Sequence, residues 1–205
     1  LKNEQTNLLQ QIAGAFSADI GISSSFFPQQ HCAKQQKNCK AALSGDSGND
    51  SVEIPNDKLK MVHTFSKYLK APLLSSQANK LGTQIFERIT CNKCHVASLP
   101  LKPENEFGLD MAFLYSDLLL HNMGLELSDG RHYAGTLPDE WRTTPLWGLR
   151  RKLNRQPISL LYDGRAASID EAVYWHGGEA EASKNLYFNL SPRDKERLLA
   201  FMGRL

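Results

Sequence analysis

No apolar run in the sequence approaches the roughly 20 residues needed to cross a bilayer, so no membrane-spanning helix is expected. Blocks of like charge are missing too. The 24 basic and 22 acidic side chains are interspersed and leave a formal net charge of +2, which removes any electrostatic ground for expecting nucleic acid or an anionic membrane as a partner. The chain lacks an initiator methionine, and its first residues, LKNEQTN, are neither a charged nor an apolar leader. These absences predict a soluble, exported protein, periplasmic or in an equivalent compartment, that is a processed product or a fragment of something longer. No internal repeat and no convincing β-strand pair stands out. What is present is 41% apolar residues in a length of 205, enough for a real core but short for two independent domains. One domain with a sizeable extension is the expectation.

Cysteine is scarce as well, and the four present fall into two unlike pairs. Cys32 and Cys39, in HCAKQQKNC, lie in a polar loop between two amphipathic segments, with no partner at zinc-knuckle spacing. A disulfide closing that short loop is the favoured reading, with free surface thiols as the alternative; if it forms, the compartment is oxidising. The second pair, in ITCNKCHVASLP, is far more specific. Cys91-Asn92-Lys93-Cys94-His95 is the C-x-x-C-H signature of covalent haem attachment, in which both sulfurs add to haem vinyl groups and the adjacent imidazole becomes the proximal iron ligand. One helical turn sets the two sulfurs at one edge of the porphyrin and aims the histidine at its centre. The rival, a thioredoxin-like redox pair, needs a preceding strand and an alternating βα pattern, and neither is visible. The expected cofactor is therefore one covalent haem c, attached at Cys91 and Cys94 with His95 proximal. Nothing in the sequence supports a calcium site.

Helical patterns flank the motif. QANKLGTQIFERIT places Leu81, Ile85 and Ile89 four apart, with Gly82 and Phe86 on a neighbouring face. SPRDKERLLAFMGRL opens with Ser191 as N-cap, Pro192 at the first helical position and Asp194 in the first turn, then stripes Leu198, Phe201, Met202 and Leu205. The glycine and phenylalanine on the first helix let the second cross closely. Residues 78–205 thus read as a cytochrome c-type haem domain. Before it, NLLQQIAGAFSADIG stripes Leu8, Ile12 and Phe16 and stops at Gly21, while NDKLKMVHTFSKYLKAP starts at an Asn56 cap and stripes Leu59, Val62, Phe65 and Leu69 before Pro72. The stretch between them, AALSGDSGNDSVEIP, is poor in apolar residues. The fold class is all-α, with a helical extension over 1–77 and long polar loops.

The second axial position of the iron decides much of the function. In SIDEAVYWHGGEAEAS, Ser168 and Glu171 form a capping box, the helix runs through Trp175, and His176 stands just before Gly177 and Gly178. His176 could reach a metal, or it could merely complement the helix dipole. His121 and Met123, in SDLLLHNMGLELSDG, are alternatives, although core packing is the commoner outcome for both. His31, His63 and His132 are weaker candidates, and Met61, Met111 and Met202 fit core positions. Arg142 and Arg165 are candidates for haem propionates, with surface ion pairs the alternative. Trp141, Trp147 and Trp175 are expected to pack as buried aromatics.

YSDLLLHNMG, EWRTTPLWGLR, LYDGRAASIDEAVYWHGGEAEAS and LLAFMGRL follow CNKCH in that order, and together they resemble the C-terminal half of di-haem oxidoreductases of the thiol oxidoreductase family, relatives of bacterial di-haem cytochrome c peroxidase and MauG. QQIAGAFSADIGISSSFFP resembles the segment before that half. The resemblance implies that His176 occupies the place of the distal ligand, methionine in the peroxidases and tyrosine in MauG. A bis-histidine iron would be six-coordinate and low-spin, suited to electron transfer. There are departures: Tyr162 precedes Asp163 where the peroxidases have histidine, and only one C-x-x-C-H is present where the family uses two haems. The resemblance therefore implies an electron-handling domain that works with an N-terminal haem domain or a separate redox partner. A stand-alone monohaem electron carrier and a haem enzyme acting on peroxide through a displaceable distal ligand remain the other two readings.

Overall fold

Capping residues set where the helices begin. The computed structural model describes residues 2–43, 45, 52–72, 79–132 and 135–205, so the 77/78 boundary and much of the polar loop expected after residue 41 lie outside the described residues. The chain divides into two compact units, Gln5–Lys70 on one side and Leu1–Glu4 with Ala71–Leu205 on the other.

In the Gln5–Lys70 unit, α1 (Leu8–Ile20) starts where the Asn7 side chain accepts a hydrogen bond from the Gln10 amide, and it ends at Gly21, whose φ of 72° lies in the left-handed region that glycine enters without strain. Its buried positions are Ala13 and Ser17, so the face turned inward is offset from the expected Leu8 stripe, and Leu8 is exposed. A short α2 (Lys37–Ala41) carries Cys39, which is bonded to Cys32 with Cα atoms 5.8 Å apart. Pro55, one residue earlier than expected, caps α3 (Asn56–Lys67), and Leu59 is the residue this helix buries. Phe65, Leu69 and Met61 are exposed, so the stripe expected to be core is buried only at its start. Ahead of α3 the Ser23 amide donates to a Glu53 carboxylate oxygen at 2.8 Å, and the Glu53 amide donates back to Ser23 Oγ at 3.0 Å.

The larger unit is built on the crossing of α4 (Lys80–Arg88) and α8 (Pro192–Met202). Ser191 caps α8 by accepting from the Asp194 amide, with Pro192 at the first helical position. At the crossing Gly82 faces α8 so closely that a methyl group there would lie 2.7 Å from the Arg197 carbonyl oxygen. Ile85, Phe86 and Ile89 meet Leu198, Phe201 and Leu205 in a core that Leu149 and Leu160 complete. Each such side chain contributes about 1.5–3 kcal/mol by leaving water. Leu81, placed on the stripe by its spacing, is instead exposed, because Gly82 and Phe86 rather than Leu81 point at α8. Three further helices, α5 (Leu149–Leu153), α6 (Ile169–Tyr174) and α7 (Glu181–Phe188), pack around this pair.

The molecule is mostly helical, yet strands are present. β1 (Leu99–Pro100) pairs antiparallel with β2 (Met111–Ala112), and β3 (Leu120–Asn122) with β4 (Glu140–Arg142), setting His121 opposite Trp141. The sequence gives no hint of them because two or three residues are too few to display an alternating pattern. Met111 is on β2 and exposed, not on a helical stripe.

Candidate functional site

The C-x-x-C-H segment follows directly from the end of α4. Thr90 turns the chain with φ of 62°, Cys91–Lys93 form one tight helical turn, and the His95 amide donates to the Cys91 carbonyl at 3.0 Å. Cys91 and Cys94 are both partly exposed, and neither joins a disulfide. Burial and then the neighbouring Cys94 push the Cys91 thiol up to about 12. Cys94 is also raised, by burial and by the charges of Asp117 and Glu179.

His95 lies against Phe86, ring centroids 6.4 Å apart, and Phe86 packs in turn on Tyr115 and Phe201. Its Nδ1 is 3.0 Å from the Tyr115 carbonyl oxygen. Since a carbonyl can only accept, Nδ1 carries the proton and Nε2 is left with a free lone pair. Burial pushes His95 down to about 4, against the Tyr115 bond and with help from His176, so the ring is neutral near pH 7. Tyr115 presents its carbonyl through a left-handed turn, φ 52°, anchored by its amide on Ala97 at 3.3 Å.

His176 repeats the same arrangement. The Ser168 side chain caps α6 by accepting from the Glu171 amide, while Glu171 accepts from the Ala167 amide instead of closing the expected box on Ser168. Trp175 ends the helix, and His176 Nδ1 stands 2.7 Å from the Ala172 carbonyl. That contact again puts the proton on Nδ1 and frees Nε2, and burial lowers the ring's proton affinity. Beyond it the chain presses backbone to backbone on the segment after β3: a methyl group on Gly177 would lie 3.0 Å from the Met123 carbonyl, and one on Gly178, where φ is 52°, 2.8 Å from the Gly124 amide nitrogen.

His121 is engaged on both sides. Its Nε2 is 2.8 Å from Asp117 and its Nδ1 2.8 Å from Glu179. Burial pulls its proton affinity down, but the two carboxylates outweigh it and the net shift is upward; with a carboxylate oxygen against each ring nitrogen, neither nitrogen is free. A ring nitrogen of His121, a carboxylate oxygen of Asp117 and the Cys94 sulfur all lie within 4.8 Å of one another. Met123 is partly buried, its amide donating to the Asp139 carbonyl at 2.9 Å. His31 and His63 belong to the Gln5–Lys70 unit, and His132 is exposed.

Among the described residues three buried side-chain donors face no acceptor: Arg142 Nε, Trp175 Nε1 and the Tyr187 hydroxyl. An unmet buried donor is costly unless a ligand supplies the acceptor. Arg165, by contrast, is paired with Asp163, donates to the Glu126 carbonyl at 2.9 Å and lies 4.8 Å over the Trp175 ring. Trp141 stacks on Tyr162 at 5.4 Å, Lys2 lies 4.3 Å over it, and the Tyr162 hydroxyl donates to the Arg142 carbonyl at 2.8 Å. Sequence reasoning missed the carbonyls of Tyr115 and Ala172, because backbone acceptors carry no residue signature. Asp117 and Glu179 also went unread, although Asp117 stands four residues before His121 as a signal.

A family model described as "Di-haem oxidoreductase, putative peroxidase" matches residues 1–205, the whole chain. No curated protein and no solved structure gives a significant match.

Proposed function

The chain belongs to the di-haem oxidoreductase family, which makes its role a haem-linked redox one, and we propose that it is the electron-handling haem domain of such a protein. One observation carries this reading: two imidazoles, His95 and His176, each have Nδ1 fixed on a backbone carbonyl, which leaves Nε2 of both free to ligate. This is the outer partner that iron-ligating histidines use to fix tautomer and orientation. Cys91 and Cys94 would hold the haem by thioether bonds. The unmet donors on Arg142 and Trp175 fit its propionates, whereas Arg165 is already committed to Asp163.

When bound, the haem supplies a one-electron iron couple. The residues supply the rest. His95 and His176 are kept neutral by burial and so present lone pairs at neutral pH. His95 and His176 together would hold the iron and leave no position for peroxide, which favours electron transfer over catalysis on this domain. The single C-x-x-C-H in a di-haem family points to a second haem carried by another domain or by a separate redox partner. The Cys32–Cys39 disulfide supports an exported, oxidising location.

The test is a rapid-mixing experiment on the purified, haem-loaded chain. The expected result is one-electron exchange with an oxidised or reduced cytochrome and no spectral response to hydrogen peroxide. Rapid formation of an oxidised species with peroxide would instead make the domain an enzyme whose His176 is displaced.

A further inference from the structure

The proximal and distal loops belong to different parts of the chain, and one set of side chains joins them. From the proximal side, the Asp117 amide donates to the Cys94 carbonyl at 2.9 Å, and the Ser116 amide to that of Val96, also at 2.9 Å. Asp117 Oδ1 accepts from the Leu119 amide at 3.0 Å, and Oδ2 faces His121. Across the imidazole stands Glu179. One of its carboxylate oxygens meets His121, while the other accepts from the Asn122 amide at 2.8 Å. Glu179 follows His176 by three residues, through the two glycines packed on residues 122–124.

We propose that Asp117, His121 and Glu179 form a clasp that positions His176 for the iron, with His121 as a positioning residue rather than a ligand. This rests on the bis-histidine reading above. Three features support it. Both nitrogens of His121 are occupied, so the ring is unsuited to binding a metal but well suited to bridging two carboxylates. The bridge is largely shielded, with His121 and Asp117 side chains only 16% and 10% exposed, so solvent screens it weakly at that end. Among the described residues, the other side-chain contacts near His176 flank this segment, with the Arg165 guanidinium 4.8 Å over the Trp175 ring before it and the Thr90–Ser183 hydroxyl pair at 2.7 Å after it, while Gly177 and Gly178 contribute backbone contact alone. Without the clasp, a pair of glycines beside His176 would leave the distal loop free to withdraw.

The test compares the haem-loaded chain with His121→Ala, Asp117→Asn and Glu179→Gln, reading spin state and carbon monoxide binding by the reduced form. Outer partners of metal ligands are typically worth about 10–100-fold in ligation. Each variant is therefore expected to retain covalent haem by mass, to gain a high-spin fraction and to bind carbon monoxide at least tenfold more readily, with added imidazole restoring the low-spin spectrum. The Asp117→Asn/Glu179→Gln double variant should go little further than either single change, because the three groups act as one chain. Variants that melt earlier but stay low-spin and inert to carbon monoxide would reduce the clasp to a stability feature and overturn the proposal. Should His121→Ala fail to fold, Glu179→Gln at the more exposed end decides the matter alone. A wild-type spectrum that is high-spin or methionine-ligated would defeat the bis-histidine reading itself, a failure visible before any variant is made.

Discussion

Among single residues, the decisive feature is which nitrogen of each imidazole is free. At His95 and His176 the Tyr115 and Ala172 carbonyls remove Nδ1 from competition; at His121 two carboxylates remove both nitrogens. His176→Ala should therefore convert a low-spin iron largely to high-spin and open it to cyanide or carbon monoxide, read by visible and electron paramagnetic resonance spectra. An unchanged spectrum would move the ligand to His121 or Met123. Lys2 makes a second case. Its ammonium is buried, donating to the Leu137 and Pro138 carbonyls at 3.0 and 2.8 Å and pairing with Asp129 at 3.2 Å. Lys2→Ala strips a charged donor from two part-buried carbonyls and should cost about 1–3 kcal/mol in urea unfolding. Of the proposed haem site, the side chains were legible: C-x-x-C-H carries its own spacing, and His176 is flagged by a helix end and two glycines. The carbonyls and carboxylates that orient them were not, since those contacts are made only by the folded backbone.

At the scale of elements, the α4–α8 crossing frames the C-x-x-C-H segment that follows α4. Ser191, Pro192 and Gly82 announce it in the sequence, and the structure places the glycine against α8 as expected. Gly82→Ala pushes a methyl group toward the Arg197 carbonyl and is expected to cost about 1–3 kcal/mol by overpacking, measured by denaturant titration with the slope unchanged. Hydrophobic spacing misled at Leu81, Phe65 and Leu69 because periodicity identifies a helix better than it fixes which neighbour covers it. The brief β3–β4 ladder escaped for lack of length, and it is the element that carries His121. In the Gln5–Lys70 unit, the Ser23 amide, ahead of the opposing effect of burial, holds the Glu53 carboxyl below its ordinary value of 4.5. The folded unit thus binds this proton less readily than the unfolded chain. Glu53's stabilisation is fully present above the ordinary value and fades as pH falls through the lower, folded one. Glu53→Gln should flatten that acid limb in a pH series of melting temperatures, and an unaltered limb would assign it to other carboxylates.

For the whole molecule, two compact units and a family match along the full length frame a haem-linked redox protein. The mostly helical character was readable from stripes and caps, and the family from the ordered motifs after CNKCH. The chain holds a single C-x-x-C-H motif although its family is a di-haem one, and the proposed electron-handling role draws on that contrast. The most direct measurement is the intact mass of the denatured chain taken together with its oxidised and reduced visible spectra. The expected result is one added haem mass that survives denaturation, with a low-spin spectrum lacking the methionine-to-iron charge-transfer band. No added mass and no Soret band would make Cys91 and Cys94 a bare dithiol, and the electron-transfer role would fall with them.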